Sequence, residues 1–186
     1  NNLPVRKDTF QVIDYERYTR LRVGLPQVKR ANLDISFNRE IKVSSQDSAI
    51  GAMIKGVAET PWGDTILAQG KLFSAQAFSG REPEAVVNAP LAKLIAGSDD
   101  FSKVVGQTFT TFGHNLRIVG VAKSKKDDSP PIAFIPISLF SNADLHKSPP
   151  RLLLEVNKTE EVPPTKEQVQ TWLNNEYGAN SADFTI

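Results

Sequence analysis

The strongest constraint on the fold is a long alternation of apolar and polar side chains that begins at Ala31. The apolar positions are Leu33, Ile35, Phe37, Ile41 and Val43, with polar residues between them. A period of two is typical of a β-strand that has one buried face and one face in water. The polar residues 44–48 predict a turn into a second strand over residues 53–57, so an antiparallel hairpin is expected here.

Two helices are predicted from apolar spacing and from residues suited to helix ends. The first covers residues 14–23, with Asp14 as N-cap and a glycine and a proline after its last turn. The second begins with Thr165 as a cap and continues to residue 177, after a chain break predicted at residues 162–164. A last strand is predicted from about Asp183.

The middle of the chain predicts shorter elements separated by polar loops. They are a helix over 62–69, a loop over 72–83, a buried strand over 85–87, a helix capped by Asn88, a hairpin over 107–122 that turns at 113–115, an exposed loop over 123–131, and buried strands over 132–135 and 152–156.

The order of helix, glycine and strand occurs once near each end of the chain. This repetition predicts two strand-helix-strand units that pack on one sheet, with the middle of the chain inserted between them. The sequence therefore predicts an α+β fold with two lobes. Residues 1–60 and 131–186 form one discontinuous lobe, and residues 61–130 form a smaller inserted lobe.

Composition excludes several classes of function. Lysine plus arginine is 22 and aspartate plus glutamate is 21, so the net charge of +1 provides no field to attract nucleic acid. The absence of cysteine excludes disulfides, thiolate metal sites and a cysteine nucleophile. No apolar run reaches the roughly 18 residues of a membrane span. Because the chain starts without methionine, we expect it to be part of a longer protein.

Motifs for catalysis or for binding a cofactor or metal are not found. His114 and His146, the two histidines, are predicted to be ordinary solvated side chains rather than a general base or metal ligands. The acidic pairs lie in predicted loops, and the chain has no Walker loop, no HExxH pattern and no nucleophile elbow. The sequence thus predicts no catalytic, cofactor-binding or metal-binding residue, and a protein that is not an enzyme.

The candidates for partner contact are Trp62, Phe73, Phe78, Lys123, Lys125 and Lys126. The tryptophan, next to a proline and a glycine, is either a core residue or a partly exposed contact residue. The two phenylalanines lie in a loop that either folds back on the core or offers a docking patch. The lysines form either a basic patch for an acidic partner or lipid headgroups, or a solvated loop balanced by the following aspartates.

Several short blocks occur in an order that is informative as a set. They are residues 13–18 (IDYERY), 25–28 (LPQV), 54–57 (IKGV), 70–73 (GKLF), 82–92 (EPEAVVNAPLA), 105–109 (VGQTF), 116–122 (LRIVGVA) and 133–137 (AFIPI). In this order they resemble the MacB-like periplasmic core domain family over about residues 13–156. One departure is the strand that precedes the first helix in the family, which is reduced here to residues 9–12 at best.

This resemblance implies an extracytoplasmic domain of an FtsX-like ABC transporter permease in a bacterial inner membrane, on its periplasmic side. The larger lobe would be porter-like, and the domain would move or bind without catalysis. ATP would be hydrolysed by a separate nucleotide-binding domain or subunit. The implied partners are that ATPase, a periplasmic adaptor protein and a second permease copy; the exported substrate stays open.

Two other functions remain open at this stage. One is an extracytoplasmic sensing module that binds a peptide or lipid between its two lobes, which a deep apolar pocket between the lobes would favour. The other is a hydrolase with an unrecognised site, which labelling with a serine-reactive probe would test.

Overall fold

The computed structural model describes residues 10–60, 64–124 and 129–186, which form an α+β fold. The helices are α1 (Tyr15–Val23), α2 (Ala75–Phe78), α3 (Ala89–Ala96), α4 (Asn142–Lys147) and α5 (Val162–Tyr177). The strands are β1 (Arg30–Asp34), β2 (Ser36–Ile41), β3 (Ile50–Val57), β4 (Leu67–Gly70), β5 (Glu84–Asn88), β6 (Thr108–Thr111), β7 (His114–Ala122), β8 (Ile132–Pro136) and β9 (Arg151–Glu155).

The alternating segment after Ala31 forms two strands rather than one. β1 pairs antiparallel with β9 in a two-stranded sheet, whereas β2 pairs antiparallel with β3 in a seven-stranded sheet. The buried Ile35 separates the two strands, and its carbonyl oxygen accepts a hydrogen bond from the Gly56 N–H. Because the apolar alternation continues across Ile35, the sequence pattern alone could not reveal the change of sheet. The predicted hairpin of β2 and β3 is confirmed.

The seven-stranded sheet is mixed and curled. Its order is β2-β3-β8-β5-β7-β4, with β6 also paired to β7. The β3–β8 and β5–β7 pairs are parallel, and the other pairs are antiparallel. Val43, just after β2, forms a bridge to Phe109 of β6, and the Ser44 N–H donates to the Thr108 carbonyl oxygen at 2.8 Å. The curl therefore brings the β2 side of the sheet back to β6.

The predicted unit of strand, Asn88 cap and helix is confirmed. β5 is buried along its whole length, and the Asn88 Oδ1 accepts a hydrogen bond from the Leu91 N–H at the start of α3. Pro90 lies in the first turn, and Gly97 ends the helix with φ of 65°. Glycine adopts this left-handed conformation readily, so a glycine after the last apolar residue correctly predicts the end of the helix.

The predicted helix over residues 62–69 is wrong in its described part. Residues 67–70 form β4, which pairs antiparallel with β7, and residues 61–63 lie outside the described residues. Gly70, predicted as a helix stop, has φ of 73° and lies close to β7. A Cβ at this position would lie 2.2 Å from the Val119 carbonyl oxygen. The glycine thus serves strand packing rather than helix termination.

Several other boundaries differ from the predictions near the C-terminus. Residues 162–164 begin α5 instead of breaking the chain, because proline is tolerated in the first turn, where its missing N–H has no helical partner. Thr165 is therefore a buried residue inside the helix and not its cap. Residues 178–183 form a 3-10 helix, and no strand is described at 183–186. β9 is half exposed rather than buried, with Leu153 at 51% exposure.

The loop predicted at 72–83 contains α2, and the β6–β7 turn is shorter than predicted. Phe112 and Gly113 have φ of 49° and 77°, the two positive values of a tight hairpin turn, so His114 already belongs to β7. The Phe112 ring packs against Phe37 and Phe140, with centroid distances of 5.0 and 4.8 Å. These aromatic contacts hold the turn against β2 and the segment after β8.

Strands from both predicted lobes share the curled sheet. β2, β3 and β8 come from residues assigned to the larger lobe, and β4 to β7 come from residues assigned to the inserted lobe. Between the two groups, β8 and β5 are joined by two residue pairs, whereas β3–β8 and β5–β7 have five each. The short β8–β5 pairing is called the seam below. The division into lobes stays a prediction.

Candidate functional site

Phe73 lies in the core rather than at the surface. Its side chain is 7% exposed and packs in a small apolar cluster of Val57, Ala77, Val86, Val119 and Ala122. Of the two alternatives for the aromatic loop, Phe73 therefore follows the one in which the loop folds back. With 7% of its surface accessible, Phe73 offers little surface to a partner in this conformation, and its role in partner contact stays a prediction.

Phe78, at the end of α2, links this loop to α1. Its half-buried ring stacks on Tyr15, with ring centroids 6.0 Å apart, and meets Phe73 edge to face at 5.7 Å. Ser74 caps α2 by accepting a hydrogen bond from the Ala77 N–H. Tyr15 belongs to the larger predicted lobe and Phe78 to the inserted lobe, so the pair is a contact between them. Phe78 remains a candidate for partner contact through the exposed part of its ring.

A buried carboxylate fixes the start of the same loop. Glu84, the first residue of β5, is 1% exposed, and its Oε2 accepts a hydrogen bond from the Ser74 N–H at 2.8 Å. Its Oε1 has no hydrogen-bond partner among the described residues and lies 4.0 Å from the Lys71 Nζ. Burying a carboxylate costs free energy unless it is paired. The contacts of Glu84 with Ser74 and Lys71 offset part of that cost, so they hold these two residues next to β5.

The basic candidates lie at one end of the sheet. Lys123 follows β7, its side chain is exposed, and its N–H donates to the carbonyl oxygen of Ile66 at 2.8 Å. Ile66, just before β4, is 62% exposed. The structure thus places residues 66 and 123 side by side. Trp62, Lys125 and Lys126 lie outside the described residues.

A second group of residues, which the sequence analysis missed, holds the segment before α1. The ring of His146 in α4 places Nε2 3.0 Å from the Phe10 carbonyl oxygen and Nδ1 2.8 Å from that of Asn142. A neutral ring donates one of these hydrogen bonds, and a protonated ring donates both. His146 is therefore a half-buried structural residue, and the prediction of a solvated histidine is corrected. His114 is similar, with Nε2 3.0 Å from the Leu139 carbonyl oxygen.

Two further side chains bind the next two residues of this segment. The Asp183 Oδ2 accepts a hydrogen bond from the Gln11 N–H at 3.0 Å, and the Tyr177 hydroxyl donates to the Val12 carbonyl oxygen at 3.0 Å. Burial raises the pKa of Tyr177 to about 12, so its hydroxyl stays protonated as a donor at neutral pH. We call His146, Tyr177 and Asp183 the N-terminal clamp. They come from α4, from α5 and from the 3-10 helix after α5.

An apolar cavity of about 650 Å³ lies beside the clamp. It is bounded by the segment before α1, by β9, by α5 and by residues 183–186. Leu153, Val162 and Ile186 line it and are each between 42% and 51% exposed. All of its lining residues belong to the larger predicted lobe, so the cavity does not lie between the lobes.

Metal-ligand clusters and membrane-spanning helices are not found in the described ranges. Among residues 10–60, 64–124 and 129–186, no group of three or more histidine or acidic side chains is placed to hold a metal ion. Within the same ranges no helix is long and apolar enough to span a bilayer.

Comparison with known families identifies the class of protein. A family profile described as the MacB-like periplasmic core domain matches residues 3–172, which is most of the chain. The chain therefore belongs to the family of MacB-like periplasmic core domains, which is a family of transporter domains without catalytic activity. The resemblance found in the sequence is confirmed. A search of curated protein sequences found no match.

Solved structures agree with this assignment at the level of the fold. The extracellular domain of the ABC-type transporter YknZ from Gram-positive bacteria aligns with a TM-score of 0.68 at 12% identity, covering 90% of this chain and 85% of that one. The periplasmic region of MacB from Actinobacillus actinomycetemcomitans also has a TM-score of 0.68, at 14% identity, covering 95% of this chain and 79% of that one. At such identities the likeness concerns the fold.

Proposed function

We propose that the chain is the extracytoplasmic domain of a MacB/FtsX-type permease and couples cytoplasmic ATP hydrolysis to export or to a periplasmic partner. The observation that carries this proposal is the family match over residues 3–172 together with the curled α+β fold. The hydrogen bond between Gln11 and Asp183 supports it, because it places the two ends of the described chain together. Adjacent ends suit a domain inserted between two membrane helices.

The proposed mechanism is a relative movement of two lobes. The porter-like lobe would comprise residues 1–60 and 131–186, with its two strand-helix units packed around β1 and β9, and residues 61–130 would form the smaller lobe. The seam supports this division because two residue pairs resist separation less than five do. The stack of Tyr15 on Phe78 and the packing of Phe112 against Phe37 and Phe140 would break and form again as the lobes move.

The proposed partners follow from this mechanism. A separate nucleotide-binding ATPase domain or subunit would supply the energy, and the permease would work as a dimer at the inner membrane. A periplasmic adaptor would meet the end of the sheet where Ile66 and Lys123 are exposed, and Trp62, Lys125 and Lys126 are further proposed contacts. An exposed apolar residue beside cationic groups suits a partner with both apolar and acidic side chains.

The test uses spin labels in the full permease assembled with its ATPase. Because this chain has no cysteine, single cysteines introduced at Val23 and Leu94 label α1 and α3 specifically once those elsewhere in the permease are replaced. Both positions are exposed. Pulsed electron resonance then measures their distance without nucleotide and with ATP trapped. We expect the distance across the seam to change by more than about 2 Å, the usual scale of a domain rearrangement.

A matched control pair at Val23 and Val162 lies within the proposed porter-like lobe and should keep its distance. If neither pair responds to the nucleotide state, mechanical coupling through this domain is refuted. Equal changes in both pairs would refute the lobe division while leaving coupling in place. ATP hydrolysis by the isolated 186-residue chain would refute the whole proposal.

The alternative of a peptide or lipid sensor predicted a binding groove between the lobes. The apolar cavity instead lies inside the larger predicted lobe, between α5, β9 and the segment before α1. The hydrolase alternative has no support from the geometry of the described residues, and the family is one of transporter domains. Mechanical coupling is therefore the function that we propose.

A further inference from the structure

The segment before α1 is bound by its backbone at three successive residues. The carbonyl oxygen of Phe10, the N–H of Gln11 and the carbonyl oxygen of Val12 each have a side-chain partner in the N-terminal clamp. Those partners lie 136, 172 and 165 positions away in the sequence. A segment without regular structure that is held at three successive residues by distant side chains is fixed relative to the elements that carry them.

Apolar packing adds to these hydrogen bonds. Val12 and Ile13 are buried in the main core, and the Phe10 ring meets the His146 ring with centroids 5.2 Å apart. Asp14 follows at once as the N-cap of α1, accepting a hydrogen bond from the Arg17 N–H at 2.8 Å. Because packed interiors transmit strain, a displacement of Phe10 is opposed by α1, α4 and α5 together rather than by one flexible loop.

The clamp also connects the segment to the other end of the described chain. Asp183 belongs to the 3-10 helix after α5, and the neighbouring Phe184 ring packs on Tyr177 with centroids 4.7 Å apart. The Arg17 guanidinium lies 5.4 Å from the centre of the Tyr177 ring. The same tyrosine therefore contacts the first helix, the segment before it and the segment after the last helix.

We propose that the N-terminal clamp is the force-bearing attachment through which displacement of the chain before Phe10 moves the larger lobe as a unit. This inference rests on the proposed coupling function and names the residues that would perform it. His146, Tyr177 and Asp183 are positioning residues, since they transmit a displacement and contact no substrate. Without them the segment would extend under load before α1 moved.

Single-molecule stretching of the 186-residue chain tests the clamp directly. Handles are attached to cysteines introduced at Thr9 and Leu94, so that the load passes from the segment through the clamp to α3. In the wild-type chain we expect the first extension to coincide with unfolding of the core. In the triple variant His146→Phe, Tyr177→Phe, Asp183→Ala we expect a separate, earlier extension of at most about 14 Å, the fully extended length of residues 10–13.

The matched control is His114→Phe, which removes another histidine bond to a backbone carbonyl, at Leu139, without touching the clamp. It should leave the first extension unchanged. An early extension in the wild type, or none in a folded triple variant, would overturn the proposal. This result does not depend on any ATPase, so the clamp can fail while the coupling function survives, and the spin-label distances can fail while the clamp survives.

If the triple variant does not fold, amide hydrogen exchange in single variants tests whether the clamp holds the segment. The Gln11 amide of Asp183→Ala should exchange between about twofold and tenfold faster than in the wild type, as expected for one lost hydrogen bond. The Leu91 amide, bound by Asn88, should keep its rate. An unchanged Gln11 rate would show that the carboxylate does not hold the segment and would overturn the proposal.

Discussion

Replacing Gly120 by alanine tests the close crossing of β4 and β7. A Cβ on Gly120 would lie 2.2 Å from the Lys71 carbonyl oxygen and 3.1 Å from the Lys71 carbonyl carbon. Both are backbone atoms, so no change of rotamer can relieve the overlap. The shorter distance is about 1 Å or more below ordinary van der Waals contact, so the two strands would have to separate.

The expected cost follows from the contacts at this crossing. Overpacking of a well-packed site costs about 1 to 3 kcal/mol. Separation would also weaken the 2.9 Å hydrogen bond from the Lys71 N–H to the Val119 carbonyl oxygen, which contributes about 1 kcal/mol. We therefore expect Gly120→Ala to lower the free energy of unfolding by about 3 kcal/mol. For a chain of this size that corresponds to a fall in Tm of roughly 9 °C.

Urea denaturation measured by circular dichroism gives the free energy of unfolding, and a thermal scan gives Tm. Gly51→Ala is the matched control, because Gly51 also lies in a strand, β3, and an added Cβ would meet no atom within 4 Å. The control should change stability by less than about 0.5 kcal/mol. If both variants lost the same small amount, the close crossing, and with it the β4 strand that replaces the predicted helix, would be refuted.

The other predictions concern a tyrosine and an asparagine. Burial raises the pKa of Tyr177 from 10.0 to about 12, so its stabilisation is full below pH 10 and is lost as pH rises towards 12. Tyr177→Phe should therefore reduce the fall in unfolding free energy over this range, with the rest due to Tyr15 and Tyr18, whose pKa values burial also raises; an unchanged alkaline slope would contradict this. Asn88→Ala should cost about 3 kcal/mol in urea denaturation, since the Oδ1 accepts from the Leu91 and Ile132 N–H groups. Asn115→Ala, at an exposed position of β7, is the control and should cost less than about 0.5 kcal/mol; an equally small loss in Asn88→Ala would refute the acceptor role.

Local signals in the sequence were sufficient wherever neighbours along the chain determine the structure. Asp14 and Asn88 cap the predicted helices through residues three positions ahead. The β2–β3 hairpin also follows from alternation and a polar turn. In these cases the contacts that fix the element join residues close together in the sequence, so the local pattern is enough to predict the element.

The predictions from sequence are wrong or missing where the role of a residue depends on a contact with residues far away in the chain. Gly70 resembles a helix stop, yet its role is to let β4 approach Val119 of β7. The contacts of His146 and Tyr177 with the first segment have no local signature, because they are made to backbone atoms of residues 10 and 12. The family resemblance did not supply them either, since it rested on glycine and aliphatic blocks. The residues that hold the first segment become visible only when the chain is folded.

The two proposed mechanical parts make different demands on the fold, and the structure separates them. Transmission needs a rigid attachment, and the N-terminal clamp holds three successive residues from three elements. Movement between the two lobes needs a weak junction, and the seam consists of two residue pairs between β5 and β8. Asn88 bridges this seam by binding both Pro130 and Ile132. If displacement enters through this segment, the clamp must hold under a load that opens the seam, because a lobe that was loose at its attachment would absorb the displacement before it reached the seam.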